Sequence, residues 1–336
     1  MSKPKIAFYW CASCGGCEEA VVDLAEDILK IIEAVDIVFW PVALDIKRKD
    51  IEVLDDLAID VCFINGAVRL SEQEDMVKLL RRKSKLVVAF GSCAHMGGIP
   101  SIANLYSKDE ILNAVYIDTA TTVNEKKTLP SQIVKVKEGN LTLPEFFEHV
   151  YSLDQVIDVD YYLPGCPVPT NLFKEAVSLI LSGNLPPKGS ILAPNKTLCE
   201  DCERNKTKPE KIKINRFYRP YEIEIDPEKC FLLQGLICLG PVTRSGCEQR
   251  CIMGNMPCRG CMGPVDRVYD QGAKFISAIA SLIDSYDEEE IDKIVNSIPD
   301  PVGTFYRFSL SKSPLIQKLR GGGNAKNSNN RPDNPS

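Results

Sequence analysis

Short apolar runs alternate with helix-like segments over the first half of the chain. The runs are rich in β-branched and aromatic residues and predict strands at Lys5–Trp10, Asp36–Ala43, Asp60–Gly66, Lys85–Phe90 and Asp160–Leu163. Between the first two strands, apolar residues from Val21 to Val35 recur every three or four positions and predict one helix. Strands that are apolar throughout and separated by helices favour a parallel sheet covered on both faces.

Further helices fit the same alternation. Ser71 followed by Glu74 predicts a capping box that opens a helix through Arg82. Apolar residues from Leu172 to Ile180 form one face of a helix that ends near Gly183. The weaker pattern from about residue 100 to 160 is interpreted as an insertion before the last strand. The predicted fold class is therefore α/β, with a flavodoxin-like doubly wound parallel sheet over residues 1–190.

Apolar periodicity is lost beyond residue 190, where Cys, Gly and Pro dominate residues 199–264. So little apolar pattern predicts no separate core, and we expect bound metal to hold an irregular domain over residues 191–285. One helix closes it, with apolar residues from Val265 to Ile283 on one side. Residues 286–319 are a C-terminal extension, and the Gly-, Asn- and Pro-rich residues 320–336 predict a disordered tail.

Composition narrows the possible functions. The net charge of −6 gives no basic footprint, so nucleic acid is not an expected partner. No export leader precedes the first strand and no apolar run reaches about 18 residues, so we expect a cytoplasmic protein without membrane contact. Fourteen cysteines in such a protein indicate metal sites rather than disulfides.

Four of the cysteines directly follow predicted strands. They are Cys14, Cys17, Cys93 and Cys166, hereafter the strand-end set. Ligands bind an open α/β sheet beyond the carboxyl ends of its strands, so three segments deliver four thiols to one edge. A single such cysteine would be interpreted as an ordinary buried residue. Four beside glycine or proline favour an iron–sulfur cluster, because a cubane cluster takes four thiolates.

The eight later cluster candidates fall into two groups in sequence order. Cys199, Cys202, Cys230 and Cys238 form the first group, and Cys247, Cys251, Cys258 and Cys261 form the second. Their Cys-x-x-Cys pairs also suit two zinc sites, but zinc would leave the strand-end set without a role. Crossed pairing stays open, because ferredoxin-type sequences exchange a ligand between clusters. Cys62 is interpreted as a core thiol, and Cys11 as a buried structural thiol, the alternative being a spare thiol near the ligands.

Three motifs together resemble the small subunit of [NiFe]-hydrogenases: Cys14-x-x-Cys17-Glu18, Gly91-Ser92-Cys93 and Gly165-Cys166-Pro167. The resemblance covers most of residues 1–285. It implies that the strand-end set binds a proximal [4Fe–4S] cluster that faces a separate nickel–iron hydrogenase large subunit. The cysteine-rich part is similar to the region that holds the medial and distal clusters of that family.

The resemblance also implies the remaining ligands. The distal cluster is expected on Cys199, Cys202, Cys230 and Cys238, and the medial cluster on Cys247, Cys251, Cys258 and Cys261. Cys199 stands where the familiar distal site has a histidine, and Cys251 adds a fourth thiol to the medial site. Three [4Fe–4S] clusters are therefore implied.

The implied function is that of an electron-transfer small subunit, most similar to the cytoplasmic group found in methanogens. It would carry electrons from H2 oxidation at the large subunit to an iron–sulfur adaptor subunit and heterodisulfide reductase. Deazaflavin-reducing hydrogenases and sulfhydrogenases remain alternatives, as does a zinc-stapled interaction protein. A quinone-coupling subunit like that of complex I is disfavoured, because that family lacks the eight-thiol tail. Glu18 is a candidate proton relay, the alternative being an acid stabilised by the helix dipole.

Overall fold

The structure is a computed structural model that describes residues 3–315. The strands in this part of the chain are β1 Lys5–Trp10, β2 Asp36–Phe39, β3 Ile59–Asn65, β4 Val68–Leu70, β5 Ser84–Phe90, β6 Ile133–Val136, β7 Gly139–Thr142, β8 Phe146–Tyr151 and β9 Tyr161–Leu163. The α-helices are α1 Gly16–Val22, α2 Asp27–Ala34, α3 Arg48–Glu52, α4 Ser71–Lys83, α5 Ser92–Met96, α6 Lys108–Asn113, α7 Thr170–Ser182, α8 Leu198–Asp201, α9 Arg250–Met253, α10 Gln271–Ala280, α11 Glu288–Asn296 and α12 Pro301–Phe305.

A five-stranded sheet forms the centre of the first half. Its strands lie in the order β2-β1-β3-β5-β9, and each neighbouring pair is parallel. Counted along the chain these strands run 2-1-3-4-5, the doubly wound order with its switch point between the first and third strands. The predicted parallel α/β sheet is confirmed. The second predicted strand is shorter than expected, because Trp40 starts a turn in which its carbonyl accepts from the N–H groups of Ala43 and Leu44.

Apolar residues of the strands build one core on each face of this sheet. Phe8, Phe63 and Phe173 pack on one face with Phe90, with ring centroids 5.2–5.5 Å apart for the closest pairs. Ile64, Val77 and Leu80 belong to the core on the other face and are fully buried. The strands carry apolar residues on both sides because helices cover both sides.

The predicted first helix is divided in two. Helix α1 ends at Val22 and α2 begins at Asp27, and Ala25 between them has a φ of 51°. This left-handed residue interrupts the helix between the two segments. Leu24 and Val35 are buried as expected, whereas Ile32 is 46% exposed.

Two predicted helix starts also differ from the structure. Helix α4 occupies the predicted range, but the Gln73 side chain accepts from the N–H groups of Arg69 and Leu70 at 2.9 and 3.0 Å. The Ser71 hydroxyl instead accepts from the N–H of Glu145, because the β4–β8 pairing brings that segment close. Helix α10 begins only at Gln271, since Asp270 caps it by accepting from the N–H of Ala273.

The weakly patterned segment before β9 lies outside the main sheet. Strand β8 pairs antiparallel with β4, and β6 and β7 form an exposed antiparallel hairpin. These strands form two separate two-stranded sheets and do not enter the five-stranded sheet.

The cysteine-rich half has an apolar core of its own, so the expectation that it could not form one is wrong. Its buried members come from separate turns and short helices and include Leu198, Ile214, Phe217, Phe231, Leu236, Phe275, Ile294, Phe305 and Leu310. Many of them sit in irregular backbone, which no helical or strand periodicity can reveal. Ile294, Phe305 and Leu310 bring the C-terminal extension into the same core.

The predicted disordered tail, residues 320–336, lies outside the described residues. From residue 3 to residue 315, no helix combines the length and apolar character that crossing a bilayer requires.

Candidate metal centres

The structure brings the strand-end thiols together at one end of the sheet. Cys14 and Cys17 lie where β1 passes into α1, Cys93 lies in α5 directly after β5, and Cys166 follows β9. Burial is the main reason that the pKa values of Cys17, Cys93 and Cys166 are raised, and the nearby thiol of Cys14 raises all three further because the sulfurs are close in space. Three segments distant in sequence therefore converge at the carboxyl ends of neighbouring strands.

Glycines leave room for these sulfur atoms. Gly91 has a φ of +89°, and a Cβ placed on it would overlap the sulfur of Cys17. Gly98 has a φ of +56°, and a Cβ there would overlap the sulfur of Cys93. Both positions therefore need glycine for space as well as for backbone conformation.

Ser92 ties the strand-end segments to the cysteine-rich half. Its N–H donates to the Gly165 carbonyl at 2.8 Å, and its hydroxyl lies 2.8 Å from that oxygen and 2.6 Å from the Cys261 carbonyl. Because Ser92 is almost fully buried, this contact holds Cys93 against two other thiol-bearing segments.

Burial favours the protonated thiol at Cys17 and at Cys93 before a metal binds. Desolvation is the main reason that the pKa of Cys17 and that of Cys93 rise to about 12. A metal must therefore displace the protons as it binds, which couples its affinity to pH.

Glu18 is buried beside Cys17, and both of its carboxylate oxygens are hydrogen bonded. Asn65 donates from Nδ2 to Oε1 at 2.7 Å, and Trp40 donates from Nε1 to Oε2. Burial raises the pKa of Glu18, although these donors oppose the shift. Ser13 donates to Oδ1 of Asn65 at 2.9 Å, so a polar chain connects Glu18 with the residue before Cys14.

A second set of thiols, Cys199, Cys202, Cys230 and Cys238, lines one small cavity. We call it the cavity set. Gly240 borders the cavity, and a Cβ on it would lie 3.1 Å from the sulfur of Cys199. Lys208 donates from Nζ to Cys199 Sγ at 3.5 Å. Four soft sulfur donors around one cavity suit iron as well as zinc.

The other four cysteines, Cys247, Cys251, Cys258 and Cys261, form the bridging set. The thiols of Cys247 and Cys251 both lie close enough to Cys261 to raise its pKa, which burial alone already raises strongly. Cys258 neighbours Cys261, but it also lies next to the cavity set, where its N–H donates to Cys238 Sγ at 3.3 Å.

The bridging set lies between the other two. Cys261 neighbours Cys166 of the strand-end set, and Cys258 neighbours Cys238 of the cavity set. Among the described residues, no three His, Cys, Asp or Glu side chains converge tightly enough to hold one metal ion. All fourteen cysteines are unpaired thiols, and Cys11 and Cys62 are buried in the core of the sheet, as predicted.

Sequence reasoning missed the polar groups around these thiols. Asn65 and Trp40 are distant in sequence from Glu18 and Cys17, which they support. Ser92 lies beside Cys93 in a motif that the sequence shows, but its contact with the Cys261 segment joins residues far apart in the chain. Lys208 lies nine residues after Cys199, and nothing in the local pattern marks it as a donor to sulfur. Only the folded arrangement identifies them.

Comparison with known proteins identifies the family of this chain. Residues 14–180 match the family model "NADH ubiquinone oxidoreductase, 20 Kd subunit". The chain is 40% identical over 318 residues to the iron–sulfur subunit of an F420-non-reducing hydrogenase from Archaeoglobus profundus, covering 94% of this chain and 98% of the relative. It belongs to this family of hydrogenase iron–sulfur subunits.

The corresponding subunit of an F420-non-reducing hydrogenase from Methanothermobacter thermautotrophicus is 38% identical over 95% of this chain and 98% of its own length. The predicted resemblance to [NiFe]-hydrogenase small subunits is confirmed, and the chain is a subunit of an oxidoreductase complex. A [NiFeSe] hydrogenase chain from Desulfovibrio vulgaris Hildenborough shares the fold, with a TM-score of 0.50 and 16% identity over 80% of this chain and 96% of that chain.

Proposed function

We propose that this hydrogenase subunit carries electrons away from a nickel–iron large subunit, where H2 is oxidised. The electrons would pass through three [4Fe–4S] clusters to an iron–sulfur adaptor subunit and heterodisulfide reductase. The observation that carries the proposal is the succession in space of three four-thiol sets, in which the bridging set neighbours both of the others.

The proposed ligands follow these sets. The strand-end set would hold the proximal cluster, the bridging set the medial cluster and the cavity set the distal cluster. Each set supplies the four sulfur donors that a cubane takes, and Gly91, Gly98 and Gly240 leave space beside those sulfurs. When bound, each cluster would exchange one electron at a time.

The chain's own residues prepare these sites. Buried thiols such as Cys230 and Cys238 keep water away from the sulfur atoms. N–H groups that point at sulfur, such as that of Cys258 toward Cys238, stabilise negative charge there. The hydroxyl of Ser92 fixes the spacing between the strand-end and bridging segments.

Glu18 is the proposed proton relay for the same reaction. Asn65 and Trp40 fix its carboxyl group, and Ser13 continues the polar chain from Asn65 toward the surface beside Cys14. Oxidation of H2 releases protons together with electrons, so a carboxyl group at this position can hold one beside the first thiol set.

The alternatives make different predictions about partners. Full-length similarity to two subunits of F420-non-reducing hydrogenases favours an adaptor subunit over a deazaflavin-binding one. A zinc-stapled interaction protein would use the cysteine-rich half alone and would leave the strand-end set without a ligand.

The test is anaerobic purification of the tagged chain from its native host, followed by mass spectrometry and H2-dependent dye reduction. We expect a nickel-binding large subunit and an iron–sulfur adaptor subunit to co-purify. A deazaflavin-binding partner would shift the assignment to the alternative hydrogenase, and a complex without nickel would contradict the proposal.

A further inference from the structure

Two cationic side chains line the cavity that the cavity set surrounds. Lys208 donates from Nζ to Cys199 Sγ at 3.5 Å, and Arg204 borders the same cavity. The N–H of Cys230 donates to the hydroxyl of Thr207 at 3.0 Å, which fixes the segment that carries Lys208. Both cations are therefore built into the wall of this site.

Neither cation has a carboxylate partner among residues 3–315. Arg204 is 8% exposed and donates to the Asn255 side chain at 2.9 Å and to the Ile252 carbonyl at 3.3 Å. Its guanidinium also lies 4.3 Å from the ring centroid of Phe231. These neutral partners orient the guanidinium without cancelling its charge, which is costly to bury alone.

The strand-end set has the opposite surroundings. In the described part of the chain, no lysine or arginine donates to any of its four sulfurs. After burial and the neighbouring thiols, the acid Glu18 also raises the pKa of Cys17, whereas Lys208 lowers the pKa of Cys199 against the effect of burial. Arg259 lies near Cys251 and Cys258 of the bridging set and also near Cys238 of the cavity set.

We propose that Lys208 and Arg204 raise the reduction potential at the cavity set, so that electrons move outward from the strand-end set. The inference rests on the proposed electron-transfer function. Reduction adds one electron, and hence one negative charge, to the sulfur-bound iron of a site. The electron comes from the neighbouring site, which loses it. Positive charge and N–H donors beside sulfur favour the reduced form.

The experiment is a redox titration of the purified hydrogenase complex, followed by EPR, with Lys208→Gln in this chain. A Cys199→Ser complex identifies the signal that belongs to the cavity set. At the wild-type midpoint we expect the ratio of reduced to oxidised cavity-set cluster to fall about tenfold, which is 59 mV for one electron. The other two signals stay at their wild-type potentials.

Matched variants separate charge from structure. Lys206→Gln removes the same charge two residues away, where Lys206 pairs with Glu203 at the exposed surface, and leaves all three potentials unchanged. Lys208→Arg keeps the charge and holds the wild-type potential. If Lys208→Gln impairs folding, the Lys208→Arg complex and the order of wild-type potentials still decide the question.

The outcomes are distinct from those of the proposed function. Iron content far below about twelve atoms per chain would overturn the three-cluster function itself. Full iron with an unmoved cavity-set potential in Lys208→Gln would overturn only the role of Lys208. A wild-type cavity-set potential below that of the strand-end set would overturn the outward order.

Discussion

The two halves of this molecule use cysteine in opposite ways. In the first half, apolar strands build the cores on both faces of the sheet, and the strand-end thiols sit beyond them at the carboxyl ends. In the second half, Cys230, Cys238 and Cys258 are themselves buried members of the apolar core. The sheet thus holds its thiols at its edge, outside the two cores. In the cysteine-rich half, the thiols are themselves part of the core that holds them in place.

Removal of iron should reduce the protection of amide hydrogens in the second half and leave that of the central sheet unchanged. With an iron chelator under reducing conditions, we expect amide hydrogens of residues 198–310 to exchange at least about a hundredfold faster, because metal binding there is coupled to folding. Strands β1, β3 and β5 should keep their protection. Hydrogen exchange with mass spectrometry measures both regions in one sample. Equal loss of protection in both regions would show that the sheet depends on bound iron as much as the cysteine-rich half does.

A single methyl group at Gly91 should abolish one site while sparing the rest. In Gly91→Ala the new Cβ would overlap the sulfur of Cys17 at a φ of +89°, so iron should fall from about twelve to about eight atoms per chain. Elemental analysis gives the count.

Gly183→Ala is the matched control. Gly183 also has a positive φ, +70°, but no atom lies within 4 Å of its would-be Cβ. It should cost about 1 kcal/mol of stability and no iron. Equal iron loss in both variants would show that backbone strain, rather than space beside sulfur, matters at Gly91.

Replacement of Glu18 by Gln tests the polar chain beside the strand-end set. The carboxamide cannot carry a proton, so H2 oxidation should slow about a hundredfold with all iron retained. Glu19→Gln removes a neighbouring acid that is exposed and should leave the rate unchanged. A normal rate in Glu18→Gln would assign Glu18 a structural role.

The smallest effect is expected at a thiol that belongs only to the core of the sheet. Cys62 is fully buried in β3 and outside every four-thiol set, so Cys62→Ala should lower the free energy of unfolding by about 1–2 kcal/mol. Its iron content should match wild type, whereas Cys93→Ala should lose about four atoms. Loss of iron from Cys62→Ala would place a ligand where none is proposed.

The same contrast explains what the sequence could predict. Five strands of a doubly wound parallel sheet were predicted from apolar runs such as Lys5–Trp10, because a strand buried on both faces leaves a continuous apolar signal. Thiols at strand ends could then be grouped, since parallel strands deliver their carboxyl ends to one edge.

The second half offered no comparable signal. Phe217, Phe231 and Leu236 meet through turns and long-range contacts, so their burial has no period in sequence.

Helix boundaries were also beyond the reach of apolar spacing. The break at Ala25 and the late start of α10 depend on local backbone conformation and capping, which apolar spacing does not record. The positions of Lys208 and Arg204 beside the cavity set could not be predicted from the sequence and are given only by the fold.

A count of iron and acid-labile sulfide in the anaerobically purified protein, with EPR of the reduced state, tests whether the three thiol sets hold iron–sulfur clusters. Three thiol sets predict about twelve of each per chain and three interacting one-electron signals. Zinc in place of iron, or cysteines paired as disulfides, would show that these sets do not hold iron–sulfur clusters.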